Sequence, residues 1–414
     1  MDVNARNSNY IMELYDEREE LPLSMFPFVS SSEHTKGTLL DEYIKDKVSS
    51  TILDEIIKNQ TKLEIHGIYD GHIKIIRKKL GWDKIEDMGP IKQEIEKPLG
   101  FKSRYPRFYK VSKNSEEFFI LSVFPGKEYI IHIVSLIKNY IERNKSGLSD
   151  KILRVFRYPV AEQKVYSWSG IEDSKIIRKG DVILIGYNII DFLLNYGLEL
   201  YAIYSKYPEL FRWIIMKNRR NHRILFFGFT YFYWGSIIGK ICEGFLKDGA
   251  DLIIHIANLG SCREPEDAEG EEVFIPMFFT KIEGASVIFA KNPWNPLLEL
   301  YENYNSGIHT CVNSVLEEVY EPFRKIVTRM GITSVDCEAF HIVHAVEESK
   351  KTKVGFSGIY YASDYVRKKK EKELKLPYDI INKDQQRIRR QRILPILAEL
   401  LAKYLQNLAT TPKI

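Results

Sequence analysis

Two carboxylates stand where the chain changes character. Glu338 follows Asp336 and Cys337 in VDCEAFHI, just ahead of the apolar run AFHIVHAV. Asp364 follows Ser363 in YASDY, at the end of the strand-like stretch VGFSGIYYA. A carboxylate placed like Glu338 can accept two hydrogen bonds from vicinal hydroxyls and fix the pose of a sugar; the other reading is a cap on the helix that follows. An aspartate at a strand end donates a proton once partial burial raises its pKa, but its commoner work is to hold a turn or a helix N-terminus. On spacing alone both alternatives stay open at both residues.

Weaker candidates surround this pair. His341 and His344 are three apart on a helix and would face one way, as metal ligands can, but no third ligand accompanies them and packing is the simpler role; no metal is expected. Tyr231, Tyr233 and Trp234 offer rings for stacking on a flat base, or simply for a core. The four cysteines, Cys242, Cys262, Cys311 and Cys337, have no CxxC or other metal-type spacing and make no disulfide framework, which points to a reducing cytoplasm. The runs RKKKEKELK (367–375) and QQRIRRQR (385–392) are basic but contain Glu371, Glu373 and Ile388, so they read as solvated faces.

The elements that must position these residues follow from apolar patterning. The chain has 414 residues, 44% hydrophobic and 13% aromatic, with 60 basic against 56 acidic side chains and a net charge of +4. Such a composition excludes global disorder, and the charge is too dilute to argue for nucleic acid. The N-terminus is polar and acidic, without the apolar core of a secretory signal. Ile224 to Gly239 is free of charge, yet it is shorter than the roughly 20 residues of a membrane span and carries Gly228, Gly235 and Ser236, so no membrane association is expected.

Residues 1–35 lack a period and read as a loosely ordered tail. Leu40, Ile44, Val48, Ile52 and Ile56 form the stripe of an amphipathic helix. Phe118 to Phe124 reads as a strand, and a helix follows it. The turn-rich NKSGLSD (144–150) is the expected boundary between an accessory α/β region, 36–150, and a domain of 151–407, with a tail of 408–414. Beyond that boundary apolar strands alternate with helices: DVILIGY, 223–229, 236–246, DLIIHIA, 287–290, 312–328, 339–349, 354–362 and 393–407. That rhythm indicates an α/β domain in which the turns after the strands carry the chemistry.

Taken in order, those turns resemble the superfamily of purine nucleoside phosphorylases, uridine phosphorylases and methylthioadenosine/S-adenosylhomocysteine nucleosidases, from about residue 181 to 407. ADLIIHIANLGSC, with Gly260, Ser261 and Cys262 at its turn, is similar to the family strand that ends beside phosphate and ribose. GEEVFIP (270–276) resembles the family's GDVVIP strand, DCE (336–338) its MetGlu element, and Ser363-Asp364 its SerAsp turn. The resemblance implies a three-layer phosphorylase/nucleosidase-like domain around a central mixed sheet, with an extra N-terminal α/β region. It implies that Glu338 binds the ribose hydroxyls with Cys337 beside it, that Asp364 supports protonation of a purine base with Ser363 next to it, and that Gly260, Ser261 and Gly186 line the anion or water side. Arg212 is similar to an arginine that a neighbouring subunit contributes, and Tyr231 falls in the loop that lines the site.

The sequence also departs from the family. Where the phosphorylases carry a Gly-Asp-Pro-x-Arg turn, this chain has Gly186, Tyr187, Asn188, Ile189 and Ile190; Asn258 stands for a second arginine, and the small-residue loop becomes FTYFYWGS. Phosphate binding wants guanidinium and backbone N–H groups. Hydrolysis at the N-glycosidic bond of a purine nucleoside or nucleotide is therefore expected over phosphorolysis, with no cofactor and inorganic phosphate disfavoured as co-substrate. The glutamate that activates water in the nucleosidases has only Asp191, slightly further on, as a counterpart. A non-catalytic nucleoside- or nucleotide-binding protein is the other reading. The resemblance also implies a homo-oligomer.

Overall fold

The computed structural model describes residues 8–28, 43–48, 50–93, 95–97, 101–204, 210–231, 234–263, 273–300, 306–351, 354–366 and 383–408. The chain forms two compact units. One comprises the described residues of 1–173, 230–240 and 313–317, the other those of 174–229, 241–312 and 318–414.

The first unit contains β1 (Glu19–Glu20), β2 (Leu63–Gly67), β3 (Lys84–Pro90), β4 (Ile95–Lys97), β5 (Phe101–Ser103), β6 (Arg107–Lys113), β7 (Glu116–Val123) and β8 (Leu153–Arg157). Six of these make one sheet in the order β1-β8-β2-β7-β6-β3, while β4 and β5 pair by themselves. Helix α1 (Ser8–Glu13) precedes the sheet, and α2 (Ser50–Asn59) and α3 (Lys127–Asn144) pack together. Thirteen of the eighteen residues of α3 are buried, which is why its sequence is apolar on nearly every face.

Two expectations change here. Residues 8–28 are not a loose tail: Ile11, Leu14, Tyr15, Leu21 and Phe26 are buried, and β1 pairs with β8. The turn at 144–150 is a connection within this unit, because β8, which follows it, lies between β1 and β2. The helical stripe expected from residue 40 appears as helical residues 43–47 and α2, with Ile44, Val48 and Ile56 buried.

The second unit is α/β with a mixed sheet of eleven strands. Its strands are β9 (Val182–Gly186), β10 (Glu199–Tyr204), β11 (Phe211–Lys217), β12 (Arg223–Phe229), β13 (Leu252–Ser261), β14 (Val273–Phe274), β15 (Phe278–Glu283), β16 (Ser286–Ala290), β17 (Ile308–Cys311), β18 (Ile332–Asp336) and β19 (Gly355–Tyr365). The helices used below are α4 (Ile190–Asn195), α5 (Ser236–Asp248), α6 (Glu321–Met330), α7 (Ala339–Glu348) and α8 (Lys383–Asn407). Strands β12, β9, β13 and β19 run parallel. Strands β9 and β12 read as apolar runs because both faces of that part of the sheet are covered. Val182, Leu184, Phe226 and Ile254 of the sheet share one core cluster with Leu397 and Leu401 of α8.

Within the uncharged stretch 224–239, β12 takes the residues up to Phe229 and α5 begins at Ser236. Among the described residues no helix is long and apolar enough to cross a membrane. The single helix expected over 312–328 is instead a short 3-10 turn, Val315–Val319, followed by α6. Pro322 sits at the start of α6, where its missing N–H costs nothing; inside a longer helix it would break the hydrogen-bond ladder.

Candidate functional site

The length of β13 builds the site. Its first half pairs with β9, and beyond the end of β9 the same edge pairs with β18, through Gly260 opposite Val335 and Ser261 opposite Ser334. Its other edge pairs with β19 throughout, and a register shift after Leu259 sets Gly260 opposite Asp364. The register therefore brings Gly260–Ser261, the Asp336–Glu338 turn and the backbone of Ser363–Asp364 to one end of three adjoining strands. The side chain of Asp364 and all of Tyr233 lie outside the described residues, as do 270–272 of the expected GEEVFIP strand and the basic run 367–375.

At the β18–α7 turn, Asp336 does the capping that spacing alone allowed for Glu338. Its carboxylate accepts the N–H groups of Glu338 at 3.1 Å and Ala339 at 3.2 Å, satisfying the start of α7. Glu338, half-buried at the head of that helix, accepts its neighbour's N–H from Cys337 at 3.2 Å. Behind Asp336 lie His309, with Nε2 at 2.9 Å, and Cys311, whose thiol donates at 2.7 Å. Burial pushes the Asp336 carboxyl up, but the attraction of His309, with His255 and the Cys311 bond, outweighs it and leaves Asp336 at about 2. Burial and the Asp336 charge together hold Glu338 well above the usual carboxylate range. The two neighbouring carboxyls are thus shifted in opposite directions, Asp336 down and Glu338 up. His255, hydrogen-bonded through Nδ1 to Tyr360 at 3.1 Å, is lowered by burial to about 4.

The other expected residues divide into several kinds. Ser261 is fully enclosed, with its oxygen accepting the Arg263 N–H at 3.3 Å, and Cys337 is buried. Ser363 is buried in a neutral chain: Tyr187 donates to Asn258 Oδ1 at 2.6 Å, Asn258 Nδ2 donates to Ser363 Oγ at 2.8 Å, and Ser363 donates to the Leu259 carbonyl at 3.2 Å. Gly186 ends β9 at φ +106°, and a Cβ there would lie 2.0 Å from the Ile256 carbonyl oxygen. Arg212 sits on β11, opposite Gly228 of β12, three strands along the sheet from β13. Tyr231 belongs to the first unit, where it donates to Asp70 at 2.6 Å and stacks on Phe124 at 4.4 Å. Trp234, also in the first unit, stacks on His132 at 4.3 Å.

Sequence reasoning missed His309 and Cys311, whose strand is short and polar in its lettering, and Arg390, whose guanidinium lies 4.4 Å over the Tyr187 ring. Of the pair His341 and His344, His344 is exposed, 3.9 Å from Glu347. A separate cavity of about 270 Å³ lies in the first unit, lined by residues that include Arg18, Lys62, Glu64, His66, Trp82 and Arg154. Its charges are largely met from within, Lys62 by Glu64 at 2.7 Å and Arg154 by Glu20 at 2.8 Å.

No family model matches the chain. It is 20% identical over 368 residues to Oxidoreductase cns1 of Cordyceps militaris, covering 85% of this chain and 46% of that protein, so the chain spans about half the length of the curated relative it matches. Among solved structures it is similar to 5'-methylthioadenosine nucleosidase of Arabidopsis thaliana (12% identical, TM-score 0.40, 56% of this chain and 98% of that one). It is similar also to the 5'-methylthioadenosine/S-adenosylhomocysteine nucleosidase of Campylobacter jejuni (14%, TM-score 0.39, 56% and 100%) and to the futalosine hydrolase of Helicobacter pylori (12%, TM-score 0.38, 55% and 96%).

Proposed function

We propose that the second unit cleaves the N-glycosidic bond of a purine nucleoside or nucleotide, with water rather than phosphate as the acceptor. The observation that carries this reading is the register of β13, which sets Gly260 opposite both Val335 of β18 and Asp364 of β19. Glu338 would hold the ribose hydroxyls at the head of α7, and Asp364 would act at the departing base. Cleavage passes through a positively charged ribosyl group, which the ionised Asp336 at this end of the sheet favours. Water is preferred because the place of a phosphate arginine is taken by Asn258, whose amide is committed to Tyr187 and Ser363. That same commitment supports a second reading, a nucleoside- or nucleotide-binding protein without turnover.

The test is incubation of the purified chain with a panel of nucleosides and nucleotides, with and without phosphate, read by mass spectrometry beside Glu338→Ala and Asp364→Asn. Free base released by wild type alone, independent of phosphate, supports hydrolysis. Release that requires phosphate, or that persists in both variants, overturns the assignment. Ligand-induced thermal shifts without release would favour the binding protein.

A further inference from the structure

The cluster behind the Asp336 turn has a composition that the proposed glycosidic chemistry does not use. His309 and Cys311 are alternate residues of β17 and so point to the same face, while Asp336 lies opposite Cys311 on the adjoining parallel strand. One ligand atom from each of the three lies within 4.8 Å of the others, and all three side chains are buried. We propose that His309 Nε2, Cys311 Sγ and the Asp336 carboxylate bind one divalent ion of the zinc class, with a fourth position left for a small ligand.

Three observations carry this. The first is an unpartnered atom: His309 Nε2 is enclosed and stands 2.9 Å from Asp336 Oδ1, yet it makes no hydrogen bond of acceptable geometry. An ion between imidazole and carboxylate satisfies both. The second is the shell behind the ligands. His309 Nδ1 is held by Ser334 Oγ at 2.9 Å, Cys311 Sγ accepts the Phe340 N–H at 3.1 Å, and Asp336 accepts two N–H groups from the start of α7. Outer partners of this kind fix the orientation of metal ligands. The third is charge. Cys311 now donates its thiol proton to Asp336; a divalent ion that displaced that proton would meet one thiolate and one carboxylate, whose two charges it neutralises. The donor set of one thiolate sulfur, one imidazole nitrogen and one carboxylate oxygen suits zinc rather than magnesium or calcium. Bonds of about 2.0–2.3 Å would require the ligand atoms to part by less than about 1 Å from their present spacing.

The full chain would be loaded with zinc, dialysed free of excess metal and measured for metal by mass spectrometry, then reloaded with cobalt for absorption spectroscopy. The proposal expects about one ion per chain, a thiolate-to-cobalt band in wild type, and loss of both in Cys311→Ser and His309→Gln. The exposed His344→Gln should bind as wild type does. Background metal in zinc-loaded wild type overturns the proposal, as does binding unchanged in both ligand variants. If those variants do not fold, wild type alone decides: cobalt bound without a thiolate band refutes the site.

Discussion

Replacing Gly186 by alanine tests the geometry that brings β9 against β13. Two costs add. At φ +106° an L-residue is strained, by about 1–3 kcal/mol. The new Cβ would also stand 2.0 Å from the Ile256 carbonyl oxygen and 2.9 Å from its carbon, both backbone atoms that no rotamer change can move. Relieving that clash displaces β9 by more than ~1 Å, on the order of an overpacked core, and stretches the Tyr187 N–H bond to the same oxygen, now 2.7 Å; together these add about 2–3 kcal/mol. The expected total is about 3–6 kcal/mol. Gly284→Ala supplies the control in the same unit, since Gly284 lies at φ +61° with nothing within 4 Å of where the added methyl would stand, and should cost only about 1 kcal/mol. Urea unfolding of wild type and the two variants measures both differences. If Gly186→Ala costs no more than Gly284→Ala, the close approach of the two strands is wrong.

Three further outcomes are expected. Glu338→Gln should lower kcat/KM on any nucleoside that the chain cleaves by at least ~100-fold while the melting temperature stays within a few degrees, because a misplaced sugar loses rate rather than fold; equal turnover by the variant would remove Glu338 from the site. Tyr187→Phe leaves Asn258 Oδ1 without the donor now at 2.6 Å and should destabilise the second unit by about 1–2 kcal/mol, read by the same unfolding. Burial lowers His132 from its usual 6.5 to about 3, so between those values the unfolded chain holds a proton that the folded chain does not, and stability falls as pH falls. His132→Gln should therefore flatten the loss of stability below about pH 6 by about 1.4 kcal/mol per pH unit, and an unchanged slope would show that the imidazole is protonated in place.

Most of the strands that sequence reading found are buried on both faces, the exposed β16 being an exception. DVILIG, RILFFGF and DLIIHIA announce themselves because little polar interrupts them, His255 alone breaking the last, and their positions fall within a residue or two of β9 and β12 and at the start of β13. The strands it missed are those that carry the polar cluster. In IHTC and ITSVD the inward side chains include His309, Ser334 and Asp336, whose partners, such as Ser334 for His309 Nδ1, come across a register that no single segment reveals. Strand β10 escaped for the opposite reason: Leu200, Tyr201 and Ile203 are apolar yet exposed, which blurs the alternation that marks a strand with one wet face. Gly186 was singled out as a residue lining a ligand, whereas the structure also gives it a backbone reason, the Ile256 carbonyl. At Asp336 and Glu338 the spacing left capping and sugar binding as rivals for one side chain; the structure assigns the cap to Asp336, which frees Glu338.

The preference for water over phosphate rests on what it would take to open the Asn258 position to an anion. Both ends of the Asn258 amide are engaged, and the Ser363 hydroxyl at the far end is spent on the Leu259 carbonyl. A phosphate needs several N–H donors aimed at one point, and here the Asn258 donor already points at Ser363. Turning that amide toward an anion would break the bonds at its two ends, at about 1 kcal/mol each, before any attraction was gained. Arg390 is the guanidinium that the structure places near this chain, but it lies against the Tyr187 ring, from helix α8 rather than from the turn after β9. A water molecule needs no such rearrangement. The neutral chain from Tyr187 to Leu259 is therefore the physical ground for proposing water as the acceptor, and phosphate-dependent release of base would overturn that proposal.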